Sequence, residues 1–189
     1  MMFKNADRDL WTSFINGDDN ALNLLYKQFI DVLYAFGLRF TDDGELVKDG
    51  IQDLFVDLYK YRETLAIEVN VKSYLFTSLK RKICLVLKKN AAAANHSFEI
   101  PFLLSPSIEE QVIHDENQSA LLLKLNKQLE LLPSRQKEAL YLRFNAELEY
   151  EEIALIMNIS LETCRTLVYR GVKQLREKMT ISHIHKALA

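Results

Sequence analysis

YEEIALIMNISLETCRTLVYRGVKQLREK, residues 150–178, decides the fold of the C-terminal part of this chain. Tyr150, Ile153, Ala154 and Met157 recur at three- and four-residue spacing and give a short first helix one apolar stripe. Asn158 marks where that helix stops, because asparagine tolerates the left-handed backbone of a tight helix exit. Two residues on, the Ser160 hydroxyl suits the N-cap of a second helix, so only a turn fits between the two. On the second helix Cys164, Val168, Val172, Leu175 and Met179 form the inner stripe, while Arg165, Thr166, Tyr169, Arg170 and Lys173 point elsewhere. The pattern predicts a helix-turn-helix whose basic outer face suits a DNA groove. A plain helical hairpin with solvated arginines is the alternative. Against it stand the short turn, the small Ala154 at a close helix approach, and five cations against two acidic residues from Glu162 to Lys178.

Working outward, 189 residues are enough for one large or two small domains, each with a core of its own. Five glycines and three prolines favour long uninterrupted helices, and no Asn-Gly or Asp-Gly pair separates alternating apolar runs. The expected class is therefore all-α. A basic N-terminal segment leading into an apolar stretch is missing, as is any long uncharged apolar window, which predicts a soluble, cytoplasmic protein. Cys84 and Cys164 lie eighty residues apart without histidines at metal spacing, and His183 and His185 do not share a helix face. Inert thiols and no metal are expected.

The net charge of −2 conceals blocks of opposite sign. Asp42 to Asp57 carries six acidic residues and one lysine. Val71 to Asn90 carries Lys72, Lys80, Arg81, Lys82, Lys88 and Lys89 with no acidic residue, and Ala91 to Asn117 turns acidic again. Such alternation suggests one face for nucleic acid and another for a protein partner.

The N-terminal part reads as a helical bundle. A helix over 8–16 buries Leu10, Trp11, Phe14 and Ile15, and Gly17-Asp18-Asp19 makes the turn and the next cap. A long second helix carries Leu22, Leu25, Tyr26, Phe29, Leu33, Phe36 and Phe40 before Thr41-Asp42-Asp43-Gly44 breaks it. A third, over 45–61, turns Val47, Ile51, Leu54, Phe55 and Leu58 inward, with Asp49, Asp53 and Asp57 as an outer ridge and Gly50 costing it about 1 kcal/mol relative to alanine. A fourth, capped by Asn70 and running to Lys89, turns Leu75, Leu79, Ile83, Val86 and Leu87 inward. Trp11, Phe14, Phe29 and Phe36 are expected in the core. The ridge and the uncompensated cations are the candidate surfaces, the cations for phosphate. Ala91 to Asn117, with Pro101 and Pro106 and no clear period, reads as a linker. Helical pattern resumes over 121–131, stops at Pro133-Ser134, and resumes over 135–144.

LLPSRQKEALYLRF (131–144) followed by the opening motif resembles region 4 of the bacterial sigma-70 family, in particular its small two-domain extracytoplasmic-function (ECF) members. DGIQDLFVDLY (49–59) is similar to region 2.2, and NVKSYLFTSLKRKICLVLKK (70–89) to regions 2.3 and 2.4. The resemblance implies two small helical domains, region 2 over 1–90 and region 4 over 118–189, joined by the acidic linker 91–117. It implies that Asp49, Gln52 and Asp53 dock on core RNA polymerase. It also implies that the loop 62–70 and the start of the next helix capture an unstacked base of the −10 promoter DNA. Lys72, Tyr74, Lys80, Arg81 and Lys82 are the candidates for holding that strand, since a melted strand needs cations and a stacking surface. Arg165, Thr166, Tyr169, Arg170 and Lys173 match the helix that reads −35 duplex. The implied partners are core RNA polymerase and promoter DNA, and an anti-sigma factor is a further partner that the resemblance admits. A nucleophile elbow, a phosphate-binding Gly-x-x-x-x-Gly-Lys and His-Glu-x-x-His are all missing, so no enzyme, cofactor or small-molecule substrate is expected. Two other readings compete: a stand-alone helix-turn-helix regulator that binds duplex tightly without polymerase, and a helical adaptor with no salt-dependent affinity for DNA.

Overall fold

The computed structural model describes residues 2–93, 100–104 and 116–187, with side chains over 6–92, 100–104 and 123–179. The chain divides into two compact units, Met1–Pro101 and Phe102–Ala189. The described residues contain eight α-helices and one short 3-10 turn, and no strand occurs among them.

The first unit holds α1 (Met2–Ile15), α2 (Asp19–Gly37), α3 (Gly44–Lys60), a 3-10 turn (Arg62–Thr64) and α4 (Val71–Ala93). The caps are local and follow the sequence. The Asp18 carboxylate accepts from Asn20 N–H, that of Asp43 from Glu45 and Leu46 N–H, and Asn70 Oδ1 from Ser73 N–H. Each satisfies backbone donors that the first turn leaves unpaired. The predicted stripes meet in one core: Trp11, Phe14, Phe29 and Phe36 are buried together with Val47, Ile51, Leu75, Phe76, Leu79 and Ile83. Phe36 packs edge-on to Phe40 and tilted against Phe76, with ring centroids 5.1 and 4.8 Å apart.

Two sequence expectations change here. Val86 is exposed rather than inward, and Leu85 beside it is exposed as well. Ile83 sits where α4 passes Gly37 and Gly50, near the start of α3, so residues beyond it overshoot the shorter helices. Gly50 is also more than a weak point in α3. A Cβ there would lie 3.3 Å from Leu79 Cδ1 and 3.6 Å from Ile83 Cγ1, so the glycine lets α3 and α4 approach closely.

The second unit holds α5 (Glu116–Glu130), α6 (Ser134–Phe144), α7 (Tyr150–Met157) and α8 (Leu161–Ala187). Of the span read as a linker, residues 91–93 continue α4, whereas 94–99 and 105–115 lie outside the described residues. Phe102 is buried, its ring centroid 5.6 Å from that of Tyr141. His183 and His185 fall outside the described side chains.

Asn158 adopts φ 51° and ψ 57°, the left-handed conformation expected of it. Ser160 Oγ accepts from Thr163 N–H at 3.1 Å. Asn158→Gly should therefore hold or raise the melting temperature. Asn158→Val, which forces a β-branched residue into that conformation, should cost about 1–2 kcal/mol, a fall of roughly 5–15 °C in thermal melts followed by circular dichroism.

Candidate nucleic-acid interface

In the second unit, α8 lies in the tight corner that Asn158 and Ser160 build. Cys164 and Val168 are buried against the unit's core. A Cβ on Gly171 would come 2.9 Å from Leu140 Cδ1, so α8 runs close along α6. Burial pushes the Cys164 thiol pKa up, with Glu151 adding to the effect, so it stays protonated and unreactive at neutral pH. This packing turns the opposite face outward: Arg165, Tyr169, Arg170 and Lys173 are exposed and Thr166 is half-buried. All five fall within the first four turns of the helix, toward the N-terminal end that a recognition helix presents to a major groove.

Arg165 faces the start of α7. Its guanidinium lies 3.8 Å from the Glu151 carboxylate and 5.9 Å from the Tyr150 ring centroid. Tyr150, expected in the inner stripe of α7, is instead half-buried, with the Arg143 guanidinium 5.0 Å from the same ring. As the first residue of α7 it projects past the core into this cationic pair. The sequence pattern missed Arg143 and Glu151, because pairing between helices leaves no periodic trace.

In the first unit, the −10 candidates separate. Tyr74, Arg81 and Lys82 line a cleft of about 340 Å³ together with Leu54, Asp57, Leu58, Tyr61, Leu65, Ser78 and Leu85. The walls are the end of α3, the connecting segment and one face of α4. Lys72 and Lys80 lie outside it, the Lys80 ammonium resting 5.9 Å from the Phe40 ring centroid. Tyr61 and Ser78 were not singled out from the sequence. Ser78 does lie four residues from Tyr74 and from Lys82, which is a signal for a shared helix face.

The acidic ridge is shorter than the four-residue steps suggested. Asp49, Gln52 and Asp53 are exposed on α3, but Asp57 is half-buried and bonded to Lys82 across the two helices. Eight residues of α-helix rotate a side chain by about 80°, enough to carry Asp57 off the ridge toward α4. That pair also means the cationic block on α4 is partly compensated within the fold.

Gln52 borders a larger groove of about 720 Å³ between α2 and α3, lined mainly by Leu22, Tyr26, Ile30, Phe55, Val56 and Tyr59. Val56 and Tyr59 are more than half exposed, and Tyr26, expected to point inward, is itself exposed and meets Phe55 edge-on at 5.1 Å. Lys48 at the groove's edge is bonded to Glu45 at 2.7 Å, and that carboxylate raises its pKa. The ridge therefore flanks an apolar surface that the inward stripe alone does not reveal. A signal existed in the apolar Val56 and Tyr59, which fall off that stripe.

Family models match a segment of each unit. "Sigma-70 region 2" matches residues 25–92 and "Sigma-70, region 4" matches residues 122–175, together well over half of the chain. The ECF RNA polymerase sigma factor SigM of Bacillus subtilis is 25% identical over 156 residues, 82% of this chain and 93% of that protein. RNA polymerase sigma factor YlaC of the same organism is 26% identical over 175 residues, 86% and 94% of the two chains. Among solved structures, CnrH in complex with the cytosolic domain of CnrY matches with a TM-score of 0.61 at 16% identity, covering 93% of this chain and 98% of that one. The sigma factor RpoE in complex with the anti-sigma factor NepR from Bartonella quintana also gives 0.61, at 21% identity and covering 84% and 96%. Both show a shared fold.

Proposed function

The chain belongs to the sigma-70 family, carrying that family's regions 2 and 4, and on this premise we propose that it directs core RNA polymerase to promoters and opens transcription there. The observation that carries the reading is the presence in one chain of two different surfaces, each suited to a different form of nucleic acid. One is a helix with an exposed basic face; the other is a cleft combining aromatic rings with cations. Duplex readout needs the first, and capture of a melted strand needs the second.

The division of labour follows. Arg165, Thr166, Tyr169, Arg170 and Lys173 meet −35 duplex. The cleft beside the loop 62–70 takes an unstacked −10 base, with Tyr74 and Tyr61 to stack on it and Arg81 to neutralise phosphate; Lys72 and Lys80 are left to the strand's path outside the cleft. Asp49, Gln52 and Asp53, beside the α2–α3 groove, dock on core polymerase, where polar rim and apolar centre together give a protein interface its usual character. An anti-sigma factor would silence the chain by covering these surfaces. No bond chemistry is assigned to the chain itself, and it works where polymerase is, in the cytoplasm. Region 2 occupies 1–90 and region 4 occupies 118–189.

The test is reconstitution. The purified chain, added to core polymerase on a randomised promoter library, is expected to co-purify with the core and to start transcription from a subset sharing −35 and −10 sequences. Failure to bind core and to support any start would sink the reading. Tight duplex selection without polymerase would instead mark a stand-alone regulator. Asp53→Ala is expected to weaken core binding about three- to tenfold while leaving the −35 preference as it is, read by titrating labelled chain with core enzyme.

A further inference from the structure

We propose that Trp11 positions the −10 capture cleft, acting from behind it without touching DNA. The inference rests on the capture role just proposed for that cleft. Trp11 is fully buried, so nucleic acid does not reach it. Its indole nevertheless connects two of the cleft's walls, the connecting segment and α4. The Nε1–H donates to the carbonyl of Ala66 at 3.0 Å, fifty-five residues away in the connecting segment and next to the wall residue Leu65. Its ring packs against that of Tyr74 on α4, with centroids 5.4 Å apart and planes at 57°.

The connecting segment depends on this brace. Its backbone bonds lie at its two ends, from Thr64 and Leu65 back to Tyr61 and Arg62, and from Tyr74 back to Asn70. The middle is fixed by the indole at Ala66. Two ion pairs cross the same boundary, Arg8 with Glu68 at 2.8 Å and Arg62 with Asp19 at 2.9 Å. Both involve exposed carboxylates, and exposed pairs add little. The indole hydrogen bond, part-buried and anchored on a side chain that is itself fully buried, is therefore the contact that sets where Leu65 stands relative to Tyr74. Without it the segment samples other positions, and apparent affinity falls with the fraction that remains competent.

Trp11 is the chain's only tryptophan, so residue-specific replacement changes this position alone. Two versions are informative. Trp11→Phe removes the N–H and part of the ring; replacement by β-(3-benzothienyl)alanine keeps the shape and puts sulfur in place of N–H. Each full-length chain is assembled with core polymerase and titrated with forked DNA whose single-stranded −10 segment is intact or abasic at one position at a time. The wild-type holoenzyme is expected to prefer an intact base at one position. Both replacements should reduce affinity for the intact fork about fivefold, the worth of one ordinary net hydrogen bond, and shrink that preference. Affinity for the abasic fork, core binding and −35 selection should not move.

Wild-type preference retained by both replacements would overturn the proposal. So would an equal loss on intact and abasic forks, which would mean a general structural role. A third chain with residues 62–69 replaced by a glycine-serine segment separates the two levels. If it still prefers the intact base, the capture reading fails and the Trp11 role with it. If it loses the preference while the Trp11 replacements keep it, only the positioning role fails.

Discussion

Gly37→Ala is expected to destabilise the first unit, whereas Gly50→Ala is expected to be neutral or stabilising, although both replace a helical glycine by the best helix former. In an open helix each change would gain up to about 1 kcal/mol. At Gly37 a Cβ would overlap Val47 Cγ1 and sit 3.1 Å from Ile83 Cδ1, both fully buried side chains from two other helices. Val47 decides the outcome: its methyl is one bond from Cβ on a stiff β-branched side chain, so it cannot swing aside within the close-packed interior. Overpacking of this kind costs about 1–3 kcal/mol and outweighs the propensity gain, which is smaller still at the last residue of α2. The net loss should be about 1–2 kcal/mol for alanine and about 3 kcal/mol or more for valine. At Gly50 the nearest atom, Leu79 Cδ1, lies at 3.3 Å and belongs to the end of a side chain that can give by a few tenths of an ångström. Denaturant melts of the full chain, with hydrogen exchange locating the loss in α2 to α4, decide the matter. A Gly37→Ala chain as stable as wild type would mean that the helices separate more easily than this packing implies.

Arg170→Ala is expected to reduce discrimination between the preferred −35 sequence and a mismatched one by roughly 5- to 150-fold, the 1–3 kcal/mol of a bidentate base contact. Arg170 is exposed on the outward face of α8, with no ion pair among the described residues to hold it elsewhere. Arg165, by contrast, lies beside Glu151 and the Tyr150 ring. Salt dependence distinguishes the two ways Arg170 could act. Loss of a base contact lowers affinity for the preferred sequence alone and leaves the salt slope nearly unchanged. Loss of a phosphate contact lowers affinity for all sequences evenly and reduces the slope by about one. Titrating holoenzyme on matched and mismatched duplexes at several salt concentrations reads both, and an even loss across sequences would remove Arg170 from base readout.

Much of the architecture was legible before any coordinates. The apolar stripe of α3, that of α2 apart from the exposed Tyr26, the caps at Asn70 and Ser160, and the left-handed Asn158 were expected and are present. The candidate sites were legible only in part. Tyr74, Arg81 and Lys82 do share a cleft, but with Tyr61 and Ser78, and without Lys72 and Lys80. Asp49, Gln52 and Asp53 stay on an exposed ridge, but Asp57 leaves it and an apolar groove opens beside them.

The sequence by itself determined where the helices lie, how they are capped and which stripes they bury, because those are interactions between residues one to four positions apart. Only the tertiary structure decided which polar side chains face one another. A helix turns its residues by about 100° each, so a small offset accumulates until Asp57 faces Lys82 rather than Asp49. Contacts such as Trp11 with Ala66, or Arg165 with Glu151, join separate elements, and no local pattern encodes a distance that only packing sets.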